Sequence, residues 1–384
     1  MGDQFAWLGL LKWTLNHTDG TSDSPAAKMT AEDQKFLETV MRDGVVNEGD
    51  RMRNILLQLV GSLIRYMEAS EDGASVAAVD LDGMEAALAG LSVKLGNKGE
   101  PLENPPPVTT EGLLDLLDEL RDIVDQIDFA HSFINMDGLP FLLGCATTPQ
   151  VPVRVRESCL VLIGTLAQNN PPVQEAAVKA AVVPSLSSMY LKEAASNEAS
   201  TSPSDDGNGK FLSKILGAAS SCIRSHAGME AEFCASPAGL QILSHALKNT
   251  KAATLPRKAL FLAKALLTNA DNSAERRLAD LNRFAPLIPL SLYYTTSADL
   301  DSRELAVSFF FSIFDSEFEI QEVAFPFAEQ LKENARERIS AIQGEELAEG
   351  GEREGEIEME GWIGILKGIQ KALEKQKERK ENNV

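Results

Sequence analysis

Apolar residues recur at intervals of three and four along most of the chain, as in Leu113, Leu114, Leu117, Leu120, Val124 and Ile127. That spacing lines one face of an α-helix. Alternating β-branched runs are absent, and Ala, Leu, Glu and Lys, which suit helices, dominate the usage. The pattern predicts an all-α protein. Three stretches interrupt it. Lys98–Thr110 (KGEPLENPPPVTT) holds four prolines, which cannot continue a helix and stiffen the chain into an extended linker. Glu193–Gly209 has almost no apolar residue larger than Ala and is expected to be a disordered surface loop. Gly344–Gly361 is rich in Glu and Gly and is expected to be solvated.

The helical pattern repeats. Leu139–Leu142, Val183–Leu186, Leu240–Leu243 and Ala285–Ile288 align on their second residues, Pro140, Pro184, Gln241 and Pro286, at intervals of 44, 57 and 45. The longest interval contains the loop-like stretch, and taking about 13 residues from it restores 44. A second landmark keeps register: Arg156 lies 16 residues after Pro140, Arg257 lies 16 after Gln241, and Arg303 lies 17 after Pro286. Each opens a long apolar run. A period in the forties, with a short helix, a turn carrying Gly or Pro and a long amphipathic helix, is the pattern of armadillo and HEAT solenoids. The expected fold is an armadillo/HEAT-like right-handed superhelix of about four repeats, with helical N- and C-terminal flanks and with the third helices on the concave side.

The expected organisation is a flexible amphipathic segment over 1–29, a helical region over 30–97 and the Pro-rich linker over 98–110. The repeat domain follows over 111–315, with its insertion at 193–209, and C-terminal helices and a charged tail fill 316–384.

Charge and chemistry narrow the function classes. With 36 basic and 57 acidic side chains the net charge is −21, the wrong sign for nucleic acid or an anionic membrane surface. The four cysteines, Cys145, Cys159, Cys222 and Cys234, form no C-x-x-C pair, which indicates neither a disulfide scaffold nor a zinc module. Met1–Leu15 lacks a basic start and a cleavage site, and no apolar run approaches the roughly 18 residues of a spanning helix. A cytoplasmic protein is expected, with the nucleus left open. The histidines at 17, 131, 226 and 245 have no metal-site spacing. Gly207-Asn208-Gly209-Lys210 fails as a phosphate loop because Phe211 stands where Ser or Thr is needed. Neither an enzyme nor a cofactor or metal is indicated. The tryptophans, Trp7, Trp13 and Trp362, fall outside the four aligned repeats. The Trp and Asn array with which armadillo import adaptors hold basic peptides is therefore missing, whereas recognition of a folded domain remains open.

Several blocks resemble one family. Met29–Leu37 (MTAEDQKFL), with Met41 and Arg51-Met52, is similar to the start of the Fes-type nucleotide exchange factors, which include the animal heat-shock-chaperone-binding protein. Leu120–Leu139 resembles their first armadillo unit, Arg154–Val178 their second landmark, and Leu10-Leu11-Lys12-Trp13 their short N-terminal motif. The resemblance implies a co-chaperone that clasps the nucleotide-binding domain of a cytosolic DnaK-type chaperone, opens its cleft, and promotes ADP and client release. It also implies chaperone contacts at Ala130, Arg156, Arg257, Lys258 and Arg303. The alternative for these residues is that Ala130 is small to let helices pack and that the arginines serve helix starts.

Two flanking stripes carry separate expectations. Phe5, Leu8, Leu11 and Leu15 share a helical face, with Trp7 and Trp13 alongside. The resemblance implies that this segment competes for the chaperone's client site; docking on the body is the alternative. Trp362, Ile365, Leu366, Ile369 and Leu373 form a second stripe, suited to a solenoid cap or an oligomer contact. The rival function is a non-catalytic armadillo scaffold or adaptor in ubiquitin or transport pathways.

Overall fold

A computed structural model of the chain describes residues 35, 48–71, 109–199, 206–250, 253–269, 272–344 and 355–382. All regular structure among them is helical. Helices α1 (Glu48–Glu71) and α2 (Thr110–Val124) lead into units of three helices, a short first helix, a second and a long third. The first unit is α3 (Ile127–Asn135), α4 (Gly138–Thr147) and α5 (Val153–Ala167), and the second is α6 (Pro171–Lys179), α7 (Val182–Ala199) and α8 (Asp206–Ile223). The third is α9 (Ala227–Ala235), α10 (Pro237–Lys248) and α11 (Thr254–Thr268), and the fourth is α12 (Ala274–Arg283), α13 (Leu287–Tyr294) and α14 (Leu300–Phe314). The order then recurs in α15 (Phe318–Ala324), a 3-10 turn, α16 (Ala328–Gly344) and α17 (Glu356–Asn382).

Local chemistry sets the boundaries. Thr109, Ser236, Ser273 and Asp299 accept hydrogen bonds from the first backbone N–H groups of α2, α10, α12 and α14, which satisfies donors a helix start leaves open. Pro171 and Pro237 occupy the first turns of α6 and α10, where no N–H is missed. The sharp turns between short helices repeat as well. Asp137 and Ala181 both adopt left-handed backbone, φ 58° and 51°, at the first-to-second helix joint of successive units. Asn169 and Ser225 do the same, φ 53° and 64°, where a long helix meets the next unit.

Each long helix packs on the next, so α2, α5, α8, α11, α14 and α17 form one ladder; a parallel row runs through α4, α7, α10 and α13. Apolar side chains between the rows make a single core from Met52 in α1 to Ile369 in α17. No unit could bury its face alone, which is the stacking logic of solenoids. A further periodic position lies in the first helices. Their fourth residues are Ala130, Gln174, Glu230, Arg277 and Gln321. Gln174 donates to the terminal carbonyls of α8 at Ser221 and Arg224 (3.0 and 2.8 Å), and Gln321 donates to Phe314 and Ser316 at the end of α14 (2.8 and 2.9 Å). Glu230 accepts from Asn269 just beyond α11 (2.9 Å). Gln174 and Gln321 thus close long-helix C-termini that would otherwise leave carbonyls unpaired.

Three expectations are corrected. The stretch 193–209 is helical at both ends, because α7 continues to Ala199 and α8 starts at Asp206. Ala194 is buried, and Glu193 takes a hydrogen bond from Arg156 (2.9 Å), so tertiary contacts hold a segment of weak local character. The Glu- and Gly-rich stretch is not solvated throughout: Glu358 is fully buried. Its carboxylate accepts from Arg303 Nε (3.1 Å), Arg338 Nε (2.9 Å) and Trp362 Nε1 (3.2 Å). Trp362 belongs to the long-helix ladder after all, but it points into the core. Helix α17 lies close against α14 because Gly361, Gly364 and Gly368 face it. A Cβ at Gly368 would stand 2.6 Å from the Phe314 carbonyl oxygen. The segment holding Phe5, Trp7, Leu8, Leu11, Trp13 and Leu15 lies outside the described residues, as does all of 72–108.

Candidate binding face

The exposed side of the ladder is grooved. Between α2 and α5 a depression is lined by Glu111, Leu114, Asp115, Asp118, Arg154, Glu157 and Ser158. It shares Asp118, Glu157 and Ser158 with a second, which adds Val161 and reaches Lys214 of α8. A third, of about 300 Å³, continues from Val161 and Lys214 to Lys258 and Phe261 of α11. These overlaps make one groove that crosses four helices.

The groove is electrically polar. Its α2–α5 end presents Glu111, Asp115, Asp118 and Glu157, with Arg154 paired to Glu111 (2.8 Å) and Arg121 to Asp118 (3.1 Å). Its α8–α11 end presents Lys214, Arg224 and Lys258, and no carboxylate among the described residues lines it. Lys258 Nζ donates to the Ser213 carbonyl (3.0 Å). Burial, and then the Lys214 charge, pull the Lys258 pKa below the ordinary lysine value. The Arg224 guanidinium lies over the Phe261 ring, 4.6 Å from its centroid, and burial lowers its pKa. Phe261 is 44% exposed and Phe311 of α14 is 37% exposed, so two large aromatic side chains stand on the ladder in reach of solvent.

Of the candidate contact residues, only Lys258 lines this groove. Ala130 is 2% exposed and sits at the buried fourth position of α3. Arg156 is 7% exposed; it donates to the Ala146 carbonyl (2.8 Å) and to Glu193, and stacks on Phe211. Arg257 forms a two-pronged pair with Asp299 and a bond to Asp301 (2.6 Å), tying α11 to the start of α14. Arg303 reaches Glu358 and the Ser297 carbonyl (2.6 Å). The three arginines share the fourth position of their long helices, and each joins its unit to another element. Ala130 and Arg156 therefore offer a partner almost no surface, because packing and internal hydrogen bonds use them. Lys214, Arg224 and Phe261 escaped the sequence reading, since residues 10 and 37 positions apart show no local motif.

Titratable groups elsewhere are engaged in the fold. His131 meets Asn170 (3.2 Å), His245 meets the Tyr190 hydroxyl (2.9 Å), and His226 accepts from Met229 N at the start of α9 (3.1 Å). Burial lifts the Cys222 and Cys234 thiols to about 12. Hydrogen bonding to Cys145, then burial, raises Cys159. Among the described residues no cluster of three or more His, Cys, Asp or Glu is placed to hold a metal ion, and no helix is long and apolar enough to cross a membrane.

No protein-family model and no curated protein sequence matches the chain. Solved structures do. An engineered protein known from its crystal structure superposes with a TM-score of 0.50 over 68% of this chain and 94% of its own, at 12% identity. A designed armadillo repeat protein in complex with the peptide (KR)4 gives a TM-score of 0.49 at 14% identity, over 73% of this chain and 98% of its own. Another designed armadillo repeat protein gives 0.48 at 14% identity, over 68% of this chain and 95% of its own. Such identities speak to fold alone. The three-helix units and their ladder are those of an all-α, armadillo-like repeat protein.

Proposed function

We propose that this protein is a nucleotide exchange factor for a cytosolic DnaK-type chaperone, with the grooved long-helix face clasping the chaperone's nucleotide-binding domain. The observation that carries the reading is the resemblance of Leu120–Leu139 and Arg154–Val178 to the Fes-type factors. Those segments cover the end of α2 through the start of α4, and α5 through most of α6. They are contiguous in the fold and flank the acidic half of the groove. An armadillo-like scaffold with a continuous charged groove suits a protein partner, and clasping requires no catalytic group.

The mechanism is one of linked binding. A clasp that holds the chaperone's lobe in an open position weakens ADP by some factor, and ADP must weaken the clasp by the same factor. ATP then refills the cleft and the client leaves. Lys258 contributes a direct contact, whereas Ala130, Arg156, Arg257 and Arg303 act by setting the pitch of the ladder. The N-terminal stripe of Phe5, Trp7, Leu8, Leu11, Trp13 and Leu15 speeds client release by occupying the client site.

The test is reciprocity. The affinity of the full chain for a cytosolic chaperone is measured by calorimetry with and without saturating ADP. Weaker binding in ADP is expected, by the factor that the protein imposes on ADP affinity. Identical affinity in both conditions would overturn the reading and leave a passive scaffold.

A further inference from the structure

The cationic half of the groove stands apart from the arginines that tie one unit to the next. Arg156, Arg257, Arg277, Arg303 and Arg338 each face a carboxylate. Lys214, Arg224 and Lys258 line a depression to which no carboxylate among the described residues contributes. In a chain of net charge −21, this is a local reversal of sign. Like charges held together while partly desolvated oppose folding, and an anionic ligand removes that opposition.

The floor is shaped for a ligand. Lys258 lies flat over Gly217, where an added Cβ would stand 2.6 Å from its ammonium. Glycine there lets the ammonium sink between α8 and α11. Arg224 is stacked on Phe261, and its Nε is buried without a hydrogen-bond partner. The half-exposed Phe261 ring adds an apolar wall beside the charges. We infer that the groove between α5, α8 and α11 is a recognition site for a carboxylate-rich protein segment that sets an aliphatic side chain against Phe261. The spacing of the cations favours this occupant over a phosphate group. Lys214 in α8 and Arg224, one residue past its end, are ten residues apart, about 15 Å along the helix axis. A single phosphate cannot bridge them, but an extended chain places side chains at that separation every four to five residues, at roughly 3.3 Å each. Charge complementarity then gives orientation, since the acidic α2–α5 end repels the same segment.

The inference deepens the proposed function by naming the chemistry of the partner surface, and it rests on that reading only for which protein supplies the segment. It is tested without a chaperone, so that the two fail separately. The probe is a fluorescein-labelled octapeptide, Glu-Glu-Leu-Glu-Glu-Leu-Glu-Glu, titrated with the full chain and followed by anisotropy. Saturable binding that weakens as salt rises is expected. The combined Lys214→Ala and Lys258→Ala variant should weaken it by about tenfold or more, with an unchanged circular dichroism spectrum, and exposed Lys192→Ala should leave it intact. Gly164→Leu should block the groove sterically, because a Cβ there meets only ordinary contacts at 3.6 Å. Absence of saturable binding, equal affinity in the double variant, or displacement of the peptide by millimolar inorganic phosphate at constant ionic strength would overturn the inference.

Discussion

Glu358 offers the sharpest test of how the last unit is held. Its carboxylate is fully buried and accepts from Arg303 Nε, Arg338 Nε and Nη2, and Trp362 Nε1 at 2.9 to 3.2 Å. Glu358→Gln keeps the shape and removes the charge, leaving two arginines, with side chains 13% and 23% exposed, facing an amide. Breaking a buried pair from one side costs about 3–5 kcal/mol, and the partial exposure of both guanidinium groups sets the expectation at the lower bound. The damage is local, because a solenoid end can open without the rest. Hydrogen exchange in α17 should therefore accelerate roughly hundredfold, the equivalent of about 3 kcal/mol, while α5 and α8 keep their protection. Replacing the cluster together, with Arg303→Met, Arg338→Met and Glu358→Leu, should recover most of the loss, since no charge is then left unpaired. Exchange in α17 that changes less than about threefold in the single variant would refute this reasoning. Acid should act as the substitution does. Burial alone would raise the Glu358 pKa, but hydrogen bonds from Arg338, Trp362 and Arg303 outweigh it and hold it below the ordinary 4.5. A carboxylate depressed in the folded state stabilises above its unfolded pKa. The α17 contact is thus whole at neutral pH and lost as pH falls below 4.5 through the depressed value.

Other changes have equally definite outcomes. Gly368→Ala drives a Cβ against the Phe314 backbone, which cannot swing aside; after a helix-propensity gain near 1 kcal/mol, a net loss of about 1–2 kcal/mol is expected in thermal melts, and a neutral effect would contradict the close α14–α17 packing. Ala181→Gly relieves a left-handed alanine at φ 51° and should raise stability by about 0.5 kcal/mol once the greater freedom of the unfolded chain is offset; a loss of that size would contradict the turn. The four buried thiols should stay inert to a disulfide-exchange reagent at pH 8 in native protein, as burial suppresses the thiolate, and all should react after denaturation.

The repeat was legible because its landmarks are short and periodic. Arg156, Arg257 and Arg303 do occupy one helical position. Their purpose was not legible. The carboxylates that hold them, Glu193, Asp299 and Glu358, lie 37, 42 and 55 residues away, and a sequence does not distinguish an arginine aimed at a neighbouring unit from one aimed at a partner. The fifth unit escaped alignment because α17 follows an acidic stretch and carries no Pro or Arg landmark at its start, although its Trp362, Ile365 and Ile369 stripe is periodic and buried. The groove escaped for a related reason. Lys214, Arg224, Lys258 and Phe261 become neighbours only when α8 stacks on α11; the family resemblance pointed to Lys258, but Lys214, Arg224 and Phe261 each alone read as ordinary helical surface residues.

The central claim is tested most directly by release of fluorescent ADP from a purified cytosolic DnaK-type chaperone, followed in stopped flow with increasing amounts of the full chain and excess ATP. The account predicts a release rate that rises with the protein and saturates, and that falls toward the basal rate when Lys214→Ala and Lys258→Ala are combined in a folded variant. A rate that stays at the basal value at saturating wild-type protein would contradict it.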